Sequence, residues 1–241
     1  MAASFVGLLF ANLASAAGAS SVTAVSFSPA SSVEQASTTW TVSFKPSKAK
    51  TLSNNSTITV TFPSGFSLPS NANVTLTTGF SNCNESDSTS GQVVTITLSN
   101  TYQKTCSLGG NTQGTLTMSG ITNPSAAGPY TNLFSVYTSG DTNSVTASAT
   151  ITAGTASQVA FTTEPSGCTN GAACTTQPVV AVEDSGGNVV TSDSTTSVTL
   201  ASSVGTLACT TNPLKVNSGV ATFAVCKVTG LASSFTLTAT D

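Results

Sequence analysis

A chain of 241 residues with six lysines, nine acidic side chains, no arginine and no histidine carries 6% charged residues, where roughly 25% is usual. Six scattered lysines cannot build the basic patch that nucleic acid requires, and without histidine neither a Ser-His-Asp triad nor a histidine-ligated metal can form. Mean hydropathy is nonetheless +0.21, so apolar residues suffice for a core, and an uncharged, hydroxyl-rich surface points to assembly or display.

Residues 2–18, AASFVGLLFANLASAAG, form the one long apolar stretch. Ala14, Ser15 and Ala16 resemble a leader cleavage site, yet no Lys or Arg precedes the apolar run. The stretch is short and interrupted by Gly7 and Asn12, so no stable membrane insertion is expected. Phe5, Val6, Phe10, Gly7 and Asn12 are mediocre helix formers, which weakens a packed-helix reading. Read as a strand, Phe5, Gly7, Leu9, Ala11 and Leu13 face one way and Val6, Leu8 and Phe10 the other. A strand apolar on both faces belongs inside a sandwich. Residues 1–18 are therefore read as an assembly segment, with Phe5, Val6, Leu8, Leu9, Phe10 and Leu13 as its contact residues.

From residue 19 onward the apolar period is two, which predicts an all-β chain. Trp40, Val42 and Phe44 alternate with Thr and Ser, as do Ile58, Val60 and Phe62, then Val94, Ile96 and Leu98, then Leu116 and Met118. Each run is bounded by Gly, Pro, Asn or Ser, the strand-and-turn signature of sandwiches. Outward Thr suits a pleated surface. Segments 63–72 and 80–91 lack the alternation and are read as irregular, with Glu85 and Asp87 in a solvated loop. Residues 144–152 close a first unit (19–153), and a second (154–241) opens with the strand-like 158–161. Within it Asp184-Ser185-Gly186-Gly187-Asn188 reads as a tight turn, and Phe235, Leu237 and Ala239 as a last strand. A carbohydrate-binding module would want exposed stacking aromatics, whereas Trp40 alternates as core would.

The six cysteines lack the CxxC spacing of zinc or redox sites, so disulfides are expected. Proximity suggests Cys83–Cys106, Cys168–Cys174 and Cys209–Cys226, out of 15 formal pairings. Sequons at Asn54, Asn55, Asn73 and Asn84 add an expectation of covalent glycans and an extracellular or cell-surface location. The carboxylates fall mostly at strand ends and turns, so neither an enzyme nor a cofactor is expected; calcium at Glu183–Asp184 or Asp193 is not compelled by any spacing.

Four segments carry a resemblance: AFTTEPSG (160–167), TTQPVVAVEDSGGNVV (175–190), LACTTNPLKVNSGVATFAVCKV (207–228) and FTLTATD (235–241). They resemble immunoglobulin-like repeats of bacterial cell-surface proteins, which are tandem β-sandwich modules. ITVTFPSGFSLPS (58–70) and SGITNPSAAGPY (119–130) resemble surface modules more loosely. The resemblance implies two tandem immunoglobulin-like sandwiches and supports joining Cys209 to Cys226. Such repeats continue beyond the T-L-T-A-T strand into one further strand, so the second sandwich is expected to have an unfilled strand slot. An apolar strand at the other end of the chain is its complement. The expected function is that of a structural subunit of an extracellular helical filament, in which identical subunits join head-to-tail by strand donation. The alternative is a stalk or adhesin fragment of a larger surface protein.

Overall fold

The computed structural model describes residues 20–230 and 234–241. The predicted assembly segment, including Phe5, Val6, Leu8, Leu9, Phe10 and Leu13, lies outside the described residues. These contain strands and turns and no helix. The strands are β1 (Thr23–Pro29), β2 (Ser37–Lys45), β3 (Leu52–Ser53), β4 (Thr57–Thr61), β5 (Val74–Thr78), β6 (Cys83–Ser90), β7 (Val93–Asn100), β8 (Ser107–Leu108), β9 (Gly114–Thr122), β10 (Gly128–Thr138) and β11 (Val145–Ile151). They are followed by β12 (Gln158–Thr163), β13 (Val179–Glu183), β14 (Ser197–Ser202), β15 (Thr206–Ala208), β16 (Leu214–Lys215), β17 (Val220–Thr222), β18 (Lys227–Thr229) and β19 (Leu237–Thr240).

The first eleven strands build the larger unit. Its main sheets are antiparallel, in the orders β1-β2-β9-β5 and β11-β10-β4-β7-β6. Their inward residues form one core, with Trp40, Val42, Phe44, Ile58, Val60, Ile96, Leu98, Leu116 and Met118 fully buried. Period-two alternation places these side chains on one face and leaves Thr and Ser on the other. At the centre, Trp40 stacks on Phe134 at 5.1 Å and meets Phe62 and Phe66 edge-on at 5.5 Å each. The indole N–H is satisfied as burial requires, donating to Asn123 Oδ1 at 3.1 Å. The sheets approach at both sides, β1 packing on β11 and β5 on β6.

Segment 80–91 is a correction to the sequence reading. Instead of an irregular loop it holds β6, paired residue for residue with β7 from Cys83↔Asn100 to Ser90↔Val93. CNESDSTS has no apolar alternation to announce a strand, because an edge strand is held by its backbone ladder, whatever its side chains. Glu85 and Asp87 therefore sit half-buried on the inward face of an edge strand, with Asp87 Oδ2 accepting from Ala72 N at 2.9 Å.

The remaining strands form a smaller unit of sheets β12-β13-β17, β16-β14-β19 and β15-β18. A second hydrophobic cluster fills it, with Val180, Val182, Val198, Leu200, Ala221 and Phe223 at its heart. Disulfides join Cys83 to Cys106 in the larger unit, and Cys168 to Cys174 and Cys209 to Cys226 in the smaller.

Candidate functional site

In both units the edge strands of facing sheets approach each other, β1 with β11 and β5 with β6 in the larger and β12 with β19 in the smaller. In the smaller unit β12 is the edge of one sheet and β19 the edge of the other, and among the described residues no strand pairs with the outer side of either. A groove of about 480 Å³ lies just past the end of β12 and at the start of β19, lined by Glu164, Pro165, Gly167, Cys168, Phe235 and Leu237. The inward side chains of the two strands, Val159 and Phe161 from β12 and Leu237 and Ala239 from β19, are half-buried. Their counterparts on the interior strands, Val180, Val182, Val198 and Leu200, are buried. Unpaired backbone groups beside incompletely covered apolar side chains are the chemistry of a strand-accepting edge. Neither β12 nor β19 carries a charged side chain or a sequon.

Strand order fixes where this groove lies along the chain. β12 starts at Gln158, beside Glu183, and ends at Thr163, next to the groove residue Glu164. β19 starts at the groove residue Leu237 and runs back the other way. The two edge strands are thus oppositely directed. At the far end of the larger unit, Ser21 bridges Asn143 and Asn143 N donates to Ser20 O, while the outgoing end of β11 leads into the smaller unit. Ser20, which residues 1–19 precede, is anchored there beside the buried Asp141. Burial pushes the Asp141 carboxyl up, but hydrogen bonds from Ser47 and Ser20 and the Lys50 charge outweigh it and hold it below the ordinary aspartate range.

Between the units lies a polar joint that the sequence did not announce. Asp184, 1% exposed, accepts from Gly186 N and Asn188 N through Oδ1 and from Gly154 N through Oδ2, at 2.8–2.9 Å. Burial raises its affinity for a proton, yet the donors from Asn188, Gly154 and Gly186 together hold it below the ordinary range. Asn188 then reaches across: Oδ1 accepts from Ala127 N and Nδ2 donates to Ser125 O, both at 2.9 Å, and Nδ2 lies 3.4 Å from Glu34 Oε2. A Cβ at Gly154 would stand 3.2 Å from Glu34 Oε1, a tight approach. The turn at 184–188 is as read from the sequence, but the Asp184 carboxylate is spent on backbone amides. Asp193 likewise spends Oδ1 on Thr195 and Thr196, which holds its pKa far below the usual value.

The sequon residues Asn54, Asn55, Asn73 and Asn84 are all exposed. Asn54 and Asn55 occupy the turn before β4, at the end of the sandwich where Ser20 emerges, and Asn84 lies on β6. Glu85 faces inward near Asp87; burial first, and then the Asp87 charge, raise its pKa. Among the described residues no group of three or more His, Cys, Asp or Glu could hold a metal ion, and no helix is long and apolar enough to cross a membrane. Three disulfides suit an oxidising compartment.

The chain matches no protein-family profile and no curated protein sequence. Among solved structures it is similar to the crystal structure of BslA, a bacterial hydrophobin, with a TM-score of 0.32 and 20% identity over 56% of this chain and 98% of that one.

Proposed function

We propose that this chain is a structural subunit of an extracellular filament, polymerised by donation of residues 4–13 of one copy to the edge that β12 and β19 present in the smaller sandwich of the next. The observation that carries this is the pair of edge strands: β12 and β19 have no ladder partner on their outer sides among the described residues, their inward side chains are half-buried, and a groove lies at their Glu164–Leu237 end. The apolar segment has the complementary property, since side chains on both of its faces call for burial. Burying Phe5, Val6, Leu8, Leu9, Phe10 and Leu13 is worth roughly 9–18 kcal/mol gross, at about 1.5–3 each, from which association and strand ordering subtract a large share. Donor and acceptor are different surfaces, so the contact is heterologous and repeats without closing into a dimer. Glycans on Asn54, Asn55, Asn73 and Asn84 would keep a weakly charged fibre hydrated.

Deleting residues 1–17 tests this directly. The truncated chain is expected to remain folded by circular dichroism and to give single particles under the electron microscope, where the full chain gives fibres. Fibres of unchanged geometry from the truncated chain would falsify the proposal. The resemblance of 157–241 to surface repeats that continue into a further strand favours a second reading, a module of a longer stalk or adhesin whose own continuation pairs with that edge. A mass for the native polypeptide well above that of 241 residues plus glycans selects that reading.

A further inference from the structure

The two units meet through polar groups, and contacts of that kind by default leave domains free to move against one another. We infer that here the joint is a lock: the pinned linker and the side chain of Asn188 hold the two units at one fixed angle, so that they move as a single body. This holds for the single chain, whatever joins copies to one another.

A hinge needs free backbone, and the linker has little. Strand β11 ends at Ile151 and β12 starts at Gln158. The first linker residue still belongs to the larger unit, since Thr152 N donates to Ser32 O at 2.8 Å and Thr152 O accepts from Glu34 N at 2.9 Å. Two residues on, the chain is already held by the smaller unit. Gly154 N donates to Asp184 Oδ2 at 2.8 Å, and Ser157 N donates to Glu183 O at 2.8 Å. Ala153 stands between the two sets of bonds, so a swing must be taken up by the soft dihedrals around one residue.

A second attachment lies beside the linker. Asn188 engages Ala127 N and Ser125 O of the larger unit with both ends of one amide, which fixes its orientation as well as its position. Each side of this contact is itself anchored. In the smaller unit, Asp184 N donates to Asn188 O at 3.0 Å and Asn188 N donates to Asp184 Oδ1 at 2.9 Å, closing the turn. In the larger unit, Tyr130 Oη donates to Ala126 O at 3.0 Å and Gln35 N donates to Pro124 O at 3.2 Å. The preceding Asn123 is buried, donates to Ser31 O and Val33 O, and accepts from the core residue Trp40. Directional bonds thus run from the core of one unit to the turn of the other. Beside Asn188 a cleft of about 490 Å³ opens between the units, lined among others by Gly128, Ile151, Ala153, Gly187 and Val189. On that side the angle is held by the amide, without apolar packing behind it.

Each such bond shifts an equilibrium by roughly fivefold, so the two Asn188 bonds and the Gly154–Asp184 bond together favour the locked joint about a hundredfold over an evenly divided one. Asn188→Ala leaves about fivefold, and roughly a sixth of the molecules should then stand open.

The test is the distribution of distances between two nitroxides, read by pulsed electron paramagnetic resonance. They are attached by oxime chemistry to p-acetylphenylalanine at Ser88 on β6 and Thr199 on β14, both exposed, which leaves the three disulfides untouched. The labelled full chain is diluted in an excess of unlabelled chain, so that only intramolecular pairs are read. Wild type is expected to give one narrow distance, and Asn188→Ala, folded by circular dichroism, a second population of about a sixth. Ser166→Ala, which removes an exposed bond to Thr176 inside the smaller unit, should read as wild type. If Asn188→Ala does not fold, Asn188→Asp keeps the shape and loses the donor to Ser125 O, and a second population is again expected. A broad or two-component wild-type distribution overturns the lock. So does an Asn188 variant that matches wild type, or an equal change in Ser166→Ala.

Discussion

Asp184 shows how much one side chain can organise when both of its carboxylate oxygens are engaged. Replacing it by Ala removes the acceptor of three part-buried amides, those of Gly154, Gly186 and Asn188, and at about 1 kcal/mol for each lost bond the loss should reach about 3 kcal/mol. Thermal unfolding of Asp184→Ala is the measurement, with a lower Tm as the expected result. Its folded pKa is depressed, so its contribution is complete above the ordinary aspartate value near pH ~4 and disappears as pH falls through the lower folded value. The Tm gap between wild type and variant should accordingly hold at neutral pH and narrow only in strong acid. Glu85 behaves in the opposite sense. Burial and the neighbouring Asp87 raise its pKa, so the folded state holds the proton more tightly and stability falls as pH rises from the ordinary glutamate range through the raised value. Glu85→Gln should raise Tm at neutral pH, and the gain should vanish below pH ~4.

At the scale of elements, what the sequence disclosed depended on whether a strand's side chains or its backbone hold it. β2, β4, β7 and β9 are central strands whose alternating residues, such as Trp40, Val60, Ile96 and Leu116, pack into one core, and period two exposes them in the sequence. β6 escaped because Glu85, Asp87 and their Ser and Thr neighbours carry no apolar signal, while the strand's ladder pairs it residue for residue with β7. The joint escaped for another reason: Glu34, Ser125, Gly154 and Asn188 are far apart in sequence, and nothing local marks the residues that a fold will bring together. The expectation of an unfilled strand slot in the smaller unit came only from the resemblance of 157–241 to longer repeats, and β12 and β19 are the edge strands to which the proposal assigns it. These two strands yield a prediction of their own. Leu237→Lys puts a charge on the inward face of an edge strand, a device by which sheets repel further strands. The variant should stay folded, with circular dichroism close to wild type, and should sediment as single chains where the wild type sediments as polymer.

For the whole molecule, the scarcity of charge sets the expected response to salt. With six lysines and nine acidic residues in 241, neither the core nor the proposed joint draws on ionic contacts that a shorter Debye length could weaken. Filament length distributions measured by electron microscopy should therefore change little between ionic strengths of about 0.1 M and about 1 M. A polymer held by charged patches would dissolve across that interval.

The opposite placement of Ser20 and the groove mouth has a mechanical consequence. When a fibre built in this way is pulled, the load enters each subunit at one pole and leaves at the other, lengthwise along the donated strand. Its ladder with β19 is then strained in shear, with many bonds resisting together, whereas a strand peeled sideways gives way one bond at a time. Thin fibres of weakly charged proteins can in this manner withstand flow and drag without any covalent link between neighbours.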